Sequence, residues 1–323
     1  MTRTFLRCFL LTCVVCCAAS AWGGEYPDRP VRLIIPFPPG GASDFAGRAL
    51  AAGLTETLGQ QFIVDNRGGA SGVIATEVAV KSQPNCYTLF LGNVNTQAIN
   101  PYIFRMTVDP VKDLAAISPV TTVPSVIVGH VSVTGSTLKE FVAHALHSGR
   151  DVRYGSANLS TPGRFLMIAF LKSLGVKVLE VPYNGAGPAV TGLLAGETEI
   201  LGVTVISAVG LVKSGKLKAL AMATTERVAL LPDVPTMAEL GYPNIVYGQW
   251  NGLFGPAALP RSLVMKLHEA TTSTMKKELI VQRLSAWGAD AVSSRSAEEY
   301  AAFVRGESAR WAKIIRESGL ASQ

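Results

Sequence analysis

The sequence predicts an α/β fold of parallel strands covered by helices on both faces, and three observations carry that prediction. Short β-branched runs alternate with segments whose apolar residues recur at helical spacing. Glycine, proline and small hydroxyl residues cluster between them, as at Pro38-Pro39-Gly40-Gly41. At 323 residues the chain is long enough for two domains, each with its own core.

The run 31–36 ends in Pro36 and reads as a strand. Beyond the Gly-Gly turn, Phe45, Ala46, Ala49, Leu50, Gly53, Leu54 and Leu58 recur at helical spacing, and Gly59 closes the helix. A strand at 62–64, a helix at 73–81 and a strand at 87–91 continue the alternation. A second set opens with a strand at 125–131. Thr137 and Glu140 then form a capping box at the start of a helix. Strand 152–155, helix 164–174, strand 176–181, helix 188–194 and strands 200–205 and 217–223 follow. From Arg261 the chain is helical. There Tyr300, Phe303, Val304, Trp311, Ile314 and Ile315 make one apolar stripe for the core.

Residues 1–21 read as an export signal. Arg3 and Arg7 form a positive start, residues 8–19 are apolar but short for a membrane span, and Ala19-Ser20-Ala21 fits a cleavage site. No convincing lipobox surrounds Cys13, Cys16 or Cys17. Cleavage removes Cys8, Cys13, Cys16 and Cys17, which leaves Cys86 without a disulfide partner. His130, His144, His147 and His268 are scattered. His144 and His147 share a helix face with no third ligand nearby, so neither metal nor cofactor is expected. The net charge of +6 falls to about +4 on cleavage, and its Lys and Arg are dispersed without interleaved aromatics. That pattern argues against nucleic acid and suits a small anionic ligand.

Four segments place glycines and hydroxyls where strands turn into helices: 38–44, 66–72, 156–163 and 181–188. A helix start offers free N–H donors and partial positive charge, and open parallel sheets bind ligands at the carboxyl ends of their strands. The alternative use of these glycines is tight backbone geometry alone. Ser43, with the N–H groups of Gly41 and Ala42, is the leading candidate for holding a carboxylate. Ser156, Ser160 and Thr161 sit at a second turn, Thr96 and Gln97 just after a strand end, and Thr204 and Ser207 at the end of another. Asp44 either caps the first helix or faces a ligand ammonium or hydroxyl. Tyr183 either stacks on a ligand or packs beneath its turn. Arg164 either clamps a second carboxylate with its fork or, the favoured reading, lies on an exposed helix face.

Tyr26-Pro27 with Pro30, the turn from Pro36 through Phe37 to Asp44, and Asn66-Arg67-x-Gly69-Ala70-x-Gly72 resemble the Bug-type extracytoplasmic solute receptors. So do Asn100-Pro101, Val181-Pro182-Tyr183-x-Gly185, the run 215–221 with Arg227, the run 231–236 with Glu239 and Gly241, and residues 250–256. These receptors are the binding components of tripartite tricarboxylate transporters. The resemblance implies a type II periplasmic-binding-protein fold, two α/β lobes joined by two crossing strands near 123–125 and 247–249. Residues 22–124 and 248–323 would form lobe 1, and residues 125–247 lobe 2. It also implies a monomeric periplasmic protein that closes over a small carboxylate and delivers it to membrane permease subunits, without chemistry of its own. Phe37 through Asp44 would then line the cleft.

The chain departs from the family pattern at Asn85-Cys86, at Gln97 where histidine is common, at 158–164, and at Asn184 where lysine is usual. Two other functions compete. One is a sensor that presents ligand to a membrane kinase. The other is a hydrolase, although no Gly-x-Ser-x-Gly elbow is present.

Overall fold

The computed structural model describes residues 26–133 and 135–320. The export-signal segment 1–21 lies outside them. The alternation read from the sequence holds through the first third. β1 (Val31–Ile35) leads into α1 (Ala42–Leu58), β2 (Phe62–Asn66), α2 (Val73–Val80) and β3 (Thr88–Asn93). Leu33, Ile34 and Ile35 are fully buried, so β1 is covered on both faces, as its unbroken apolar run requires.

One π-turn, Asn95–Ile99, then runs into the short helix α3 (Asn100–Ile103). β4 (Leu114–His130) follows. The sequence marks only the second half of this 17-residue strand. Pro119 and Pro124 obscure the rest, and the strand accommodates Pro119 through register shifts against its neighbour. Next come α4 (Leu138–Ser148), β5 (Val152–Ser156), α5 (Pro162–Leu174), β6 (Val178–Pro182), α6 (Ala186–Leu194) and β7 (Ile200–Thr204). The Thr137–Glu140 capping box forms with both of its hydrogen bonds. β7 ends at Thr204 and Val205 opens α7 (Val205–Lys213), a helix hidden in the sequence by its apolar continuity with the strand. β8 (Leu217–Met222), β9 (Gly248–Pro256), α8 (Arg261–Met275), α9 (Glu278–Ser285), β10 (Asp290–Ala291) and α10 (Ala297–Ser318) complete the order.

The expectation of a purely parallel sheet needs correcting. β2, β1 and β3 are parallel, as are β7, β5 and β6. Between these groups β9 and β4 run antiparallel, and β8 and β10 also pair with β4 antiparallel. The reason is connectivity. β4 pairs with β9 as far as Pro124 and with β7 from Ser125 onward, so the same strand serves both halves of the sheet.

α10 buries Tyr300, Val304, Trp311 and Ile315, while Phe303 is left 45% exposed and stands apart from the predicted stripe. Its far end reaches the second half of the molecule, where Trp311 meets Phe165 of α5 edge-on.

Candidate functional site

Strand register shows where the turns lie. Asn93, at the carboxyl end of β3, is opposite Asn251 of β9, which is opposite Thr121 of β4. Thr204, at the carboxyl end of β7, is opposite Ser125 of the same β4. Thr121 and Ser125 are four residues apart along one strand, about 13 Å. The carboxyl ends of strands from both halves therefore meet at the crossing.

At the first of these ends, Gly41 precedes α1 and no side chain caps the helix. The N–H groups of its first turn have no intrahelical acceptor. Ser43 corrects the sequence reading, because its hydroxyl is fully engaged inside the protein. It donates to Asn251 Oδ1 (2.7 Å) and accepts from Asn93 Nδ2 and Gln249 Nε2 (3.0 Å each), and the residue is 2% exposed. Asn251 in turn donates to Thr121. Buried Asn93, Asn251 and Thr121, with half-buried Gln249 at their edge, thus form a polar floor beneath α1. The Gln-x-Asn alternation at the start of β9 is the sequence signal that could have revealed it, since alternate strand residues share a face.

The two readings of Asp44 also resolve. One oxygen accepts from the Gly40 N–H and Arg48 Nε, the other from Asn66 Nδ2, with the second Arg48 nitrogen 3.0 Å away. Burial pushes the carboxyl up. The hydrogen bonds from Arg48, Gly40 and Asn66 outweigh burial and hold it below its ordinary range. Asp44 latches the helix start from behind and has no oxygen left over for a ligand. Phe37 is half-buried, and its carbonyl receives the remaining Asn66 N–H.

Thr96 and Gln97 fall on the π-turn. The Thr96 hydroxyl accepts from the Asn93 N–H and donates back to the Asn93 carbonyl, locking the turn. Gln97 is fully buried beside Gly92 and Phe254, on the opposite face of the sheet from Asn93 and Ser43. The structure therefore places Gln97 away from the α1 turn. Pleating explains this, because Gly92 and Asn93 are adjacent in one strand.

In the second half, Ser160 donates both its N–H and its hydroxyl to Asn158 Oδ1. Thr161 caps α5 by accepting from the Arg164 N–H, and its own proton goes to the Asn158 carbonyl. These hydroxyls are spent within the turn, contrary to the expectation that they contact ligand. Arg164 is buried rather than exposed. It grips Glu180 with two bonds of 2.6 and 3.0 Å and donates to the Leu159 carbonyl. Burial raises the Glu180 carboxyl, but the hydrogen bonds and positive charge of Arg164 hold it below its usual range. Ser156, at the carboxyl end of β5, is fully buried, and its hydroxyl has no hydrogen-bond partner among the described residues. Gly163 and Gly202 lie in backbone contact, and a Cβ on either would collide with the other's carbonyl, so α5 is pressed directly onto β7.

Tyr183 packs beneath its turn. Its ring lies against Gly192 and its hydroxyl donates to Glu197 at 2.7 Å; burial and that carboxylate push its pKa up to about 12. The start of α6 at Gly185 and that of α7 at Thr204 both lack a side-chain cap. Thr204 and Ser207 pair through their hydroxyls at 3.1 Å on the half-buried first turn of α7.

The site so described offers main-chain N–H donors and hydroxyls. Arg48, Arg67 and Arg164, the arginines in or beside these turns, are bound to Asp44, Asp65 and Glu180. Along the crossing, a groove of about 540 Å³ runs between β9 and α10, lined by Pro124, Gly248, Trp250, Phe303 and Arg310. Its cations Arg227 and Arg310 are paired with Glu239 and Glu307. Among the described residues no group of three His, Cys, Asp or Glu is placed to hold a metal ion, and no helix is long and apolar enough to cross a membrane. Cys86 is buried, and burial pushes its thiol up to about 12.

This architecture is that of known periplasmic binding proteins. The periplasmic binding protein BugD is 28% identical and superposes with a TM-score of 0.85 over 92% of this chain and all (100%) of its own. A protein of R. palustris solved with adipate is also 28% identical, with a TM-score of 0.87 over 92% of this chain and 99% of its own. Among curated relatives, the protein BugT of Bordetella pertussis is 31% identical over 99% of this chain and 98% of its own length. The model of the tripartite tricarboxylate transporter family receptor matches residues 46–320, and the chain belongs to that family.

Proposed function

We propose that this protein is exported to the periplasm and captures a small carboxylate between its two lobes, residues 22–124 with 248–323 and residues 125–247. The carboxylate is held by main-chain N–H groups at the starts of α1 and α7, with the Thr204 and Ser207 hydroxyls beside them. Lobe closure desolvates the ligand and strengthens each hydrogen bond. The bound acid then passes to the permease subunits of a tripartite transporter.

The observation that carries this reading is the meeting of strand carboxyl ends from both halves at one crossing, with the helix starts of α1 and α7 left without side-chain caps. An uncapped helix start binds anions without a salt bridge. The relative solved with adipate supports the ligand class. A hydrolase would need a base, and His130, His144, His147 and His268 all lie outside these turns, on β4, α4 and α8.

The test is a thermal-shift panel on the chain from residue 22, refolded to strip any co-purified ligand, against mono-, di- and tricarboxylates. A ligand at a hundred times its dissociation constant adds roughly 2.7 kcal/mol, which raises the midpoint by several degrees. A flat response to every carboxylate would overturn the reading.

A further inference from the structure

The turn that follows α9 reaches the same crossing from the far end of the chain. β10 pairs Asp290 with Thr122 and Ala291 with Thr121, which places the preceding residues beside the carboxyl end of β7. Gly288 sits there at φ +78°, and a Cβ on it would lie 2.6 Å from Val205 Cγ1 and 2.9 Å from Leu230 Cδ2. Val205 is the first residue of α7. One residue earlier, Trp287 meets Phe45 in the first turns of α1 edge-on, with ring centres 5.8 Å apart. A single dipeptide therefore spans both helix starts that face the crossing.

Trp287 is 50% exposed in that position, whereas Trp250 and Trp311 are 5% and 1% exposed. A large ring left half in water next to two anion-binding helix ends is an apolar surface with something to gain by being covered. The nearby arginines add no free charge, because Arg48 is tied to Asp44 and Arg164 to Glu180. Charge recognition here falls to the helix starts, and Trp287 against Phe45 adds an aromatic surface beside them.

We propose that Trp287, backed by Phe45, is the wall against which the ligand's apolar body lies, so that the preferred substrates are carboxylates bearing an alkyl chain of several methylenes or an aryl ring. This rests on the receptor reading above and adds the part of the ligand that the helix starts do not touch. Compact hydroxylated acids would leave the indole uncovered. They would gain only the carboxylate contacts.

The experiment is calorimetric titration together with tryptophan emission, using the chain from residue 22. Adipate and phenylacetate serve as apolar-bodied probes and malate as the compact one. The wild type should bind adipate or phenylacetate more tightly than malate. Trp287→Ala should weaken the apolar-bodied probes about tenfold and malate no more than about twofold. Trp287→Phe keeps a ring, so it should retain affinity within about threefold yet lose most of the ligand-induced emission change. If Trp287→Ala does not fold, the emission readout on Trp287→Phe decides. Unchanged adipate and phenylacetate affinity in Trp287→Ala, a full emission change in Trp287→Phe, or a wild type that prefers malate would each overturn the inference while leaving the receptor reading intact. A wild type that binds no carboxylate at all would overturn both.

Discussion

The turns that lead into α1 and α5, residues 38–44 and 158–164, are built from the same residue types, and they do opposite things. Each follows a strand that carries it to the crossing, and each contains proline, glycine, serine and a charged residue. At α5 the protein consumes its own donors: Thr161 caps the helix, Ser160 and Asn158 close the loop, and Arg164 is buried against Glu180. At α1 the position before the helix is Gly41, which has no side chain to offer, and Asp44 reaches backward to Gly40 instead of forward to the open N–H groups. A helix start is available to an anion when no side chain accepts from its open N–H groups, as at α1, and is closed when one does, as Thr161 does at α5. Glycine content alone does not separate the two cases.

The comparison can be broken most sharply at Arg164. Replacing it with Ala strands Glu180 with part of its burial and no cation, which should cost about 3 kcal/mol of unfolding free energy in a denaturant titration. The sign with pH follows from the lowered Glu180 pKa. The stabilisation is fully present above the ordinary value of 4.5 and is lost as pH falls through the lower folded value, so the gap between variant and wild type should narrow in acid. A gap of under about 0.5 kcal/mol at neutral pH would show that the α5 start is not held by this pair.

A smaller effect belongs to the α1 side. Ser43→Ala removes the acceptor for Asn93 and Gln249 and the donor to Asn251, all at a buried position, and should destabilise by about 2 kcal/mol. Loss of carboxylate affinity without loss of stability would instead return the hydroxyl to the cleft. The smallest effect is expected at the α5 cap. Thr161→Ala should lower the thermal midpoint by the equivalent of about 1 kcal/mol and leave carboxylate binding unchanged. A tenfold loss of affinity in this variant would mean that both turns contact ligand, and the contrast between them would fall.

Several features are legible in the sequence itself. The Thr137–Glu140 capping box, the Gly59 helix stop and the positions of β1, β5 and α1 follow from local rules of periodicity and capping, which act over a few residues. The family resemblance was likewise carried by short motifs in chain order, and the family and fold comparisons agree with it.

What escaped depended on partners distant in sequence. Local rules missed the first half of β4 behind two prolines and the length of β9 among glycines, and only the family resemblance pointed to crossing strands near 123–125 and 247–249. The polar network of Asn93, Gln249, Asn251 and Thr121 brings together residues more than 150 positions apart, and nothing local marks Ser43 as its centre. Whether Asp44 capped or faced ligand was open from sequence because Gly40 and Asn66 competed for it only in three dimensions.

By itself the sequence determined that strands turn into helices at glycine- and hydroxyl-rich segments, because backbone freedom and helix-start chemistry are properties of neighbouring residues. Only the tertiary structure decided which of those turns stay open. An N–H or hydroxyl is free or spent according to the groups packed against it, and those arrive from the far ends of the chain.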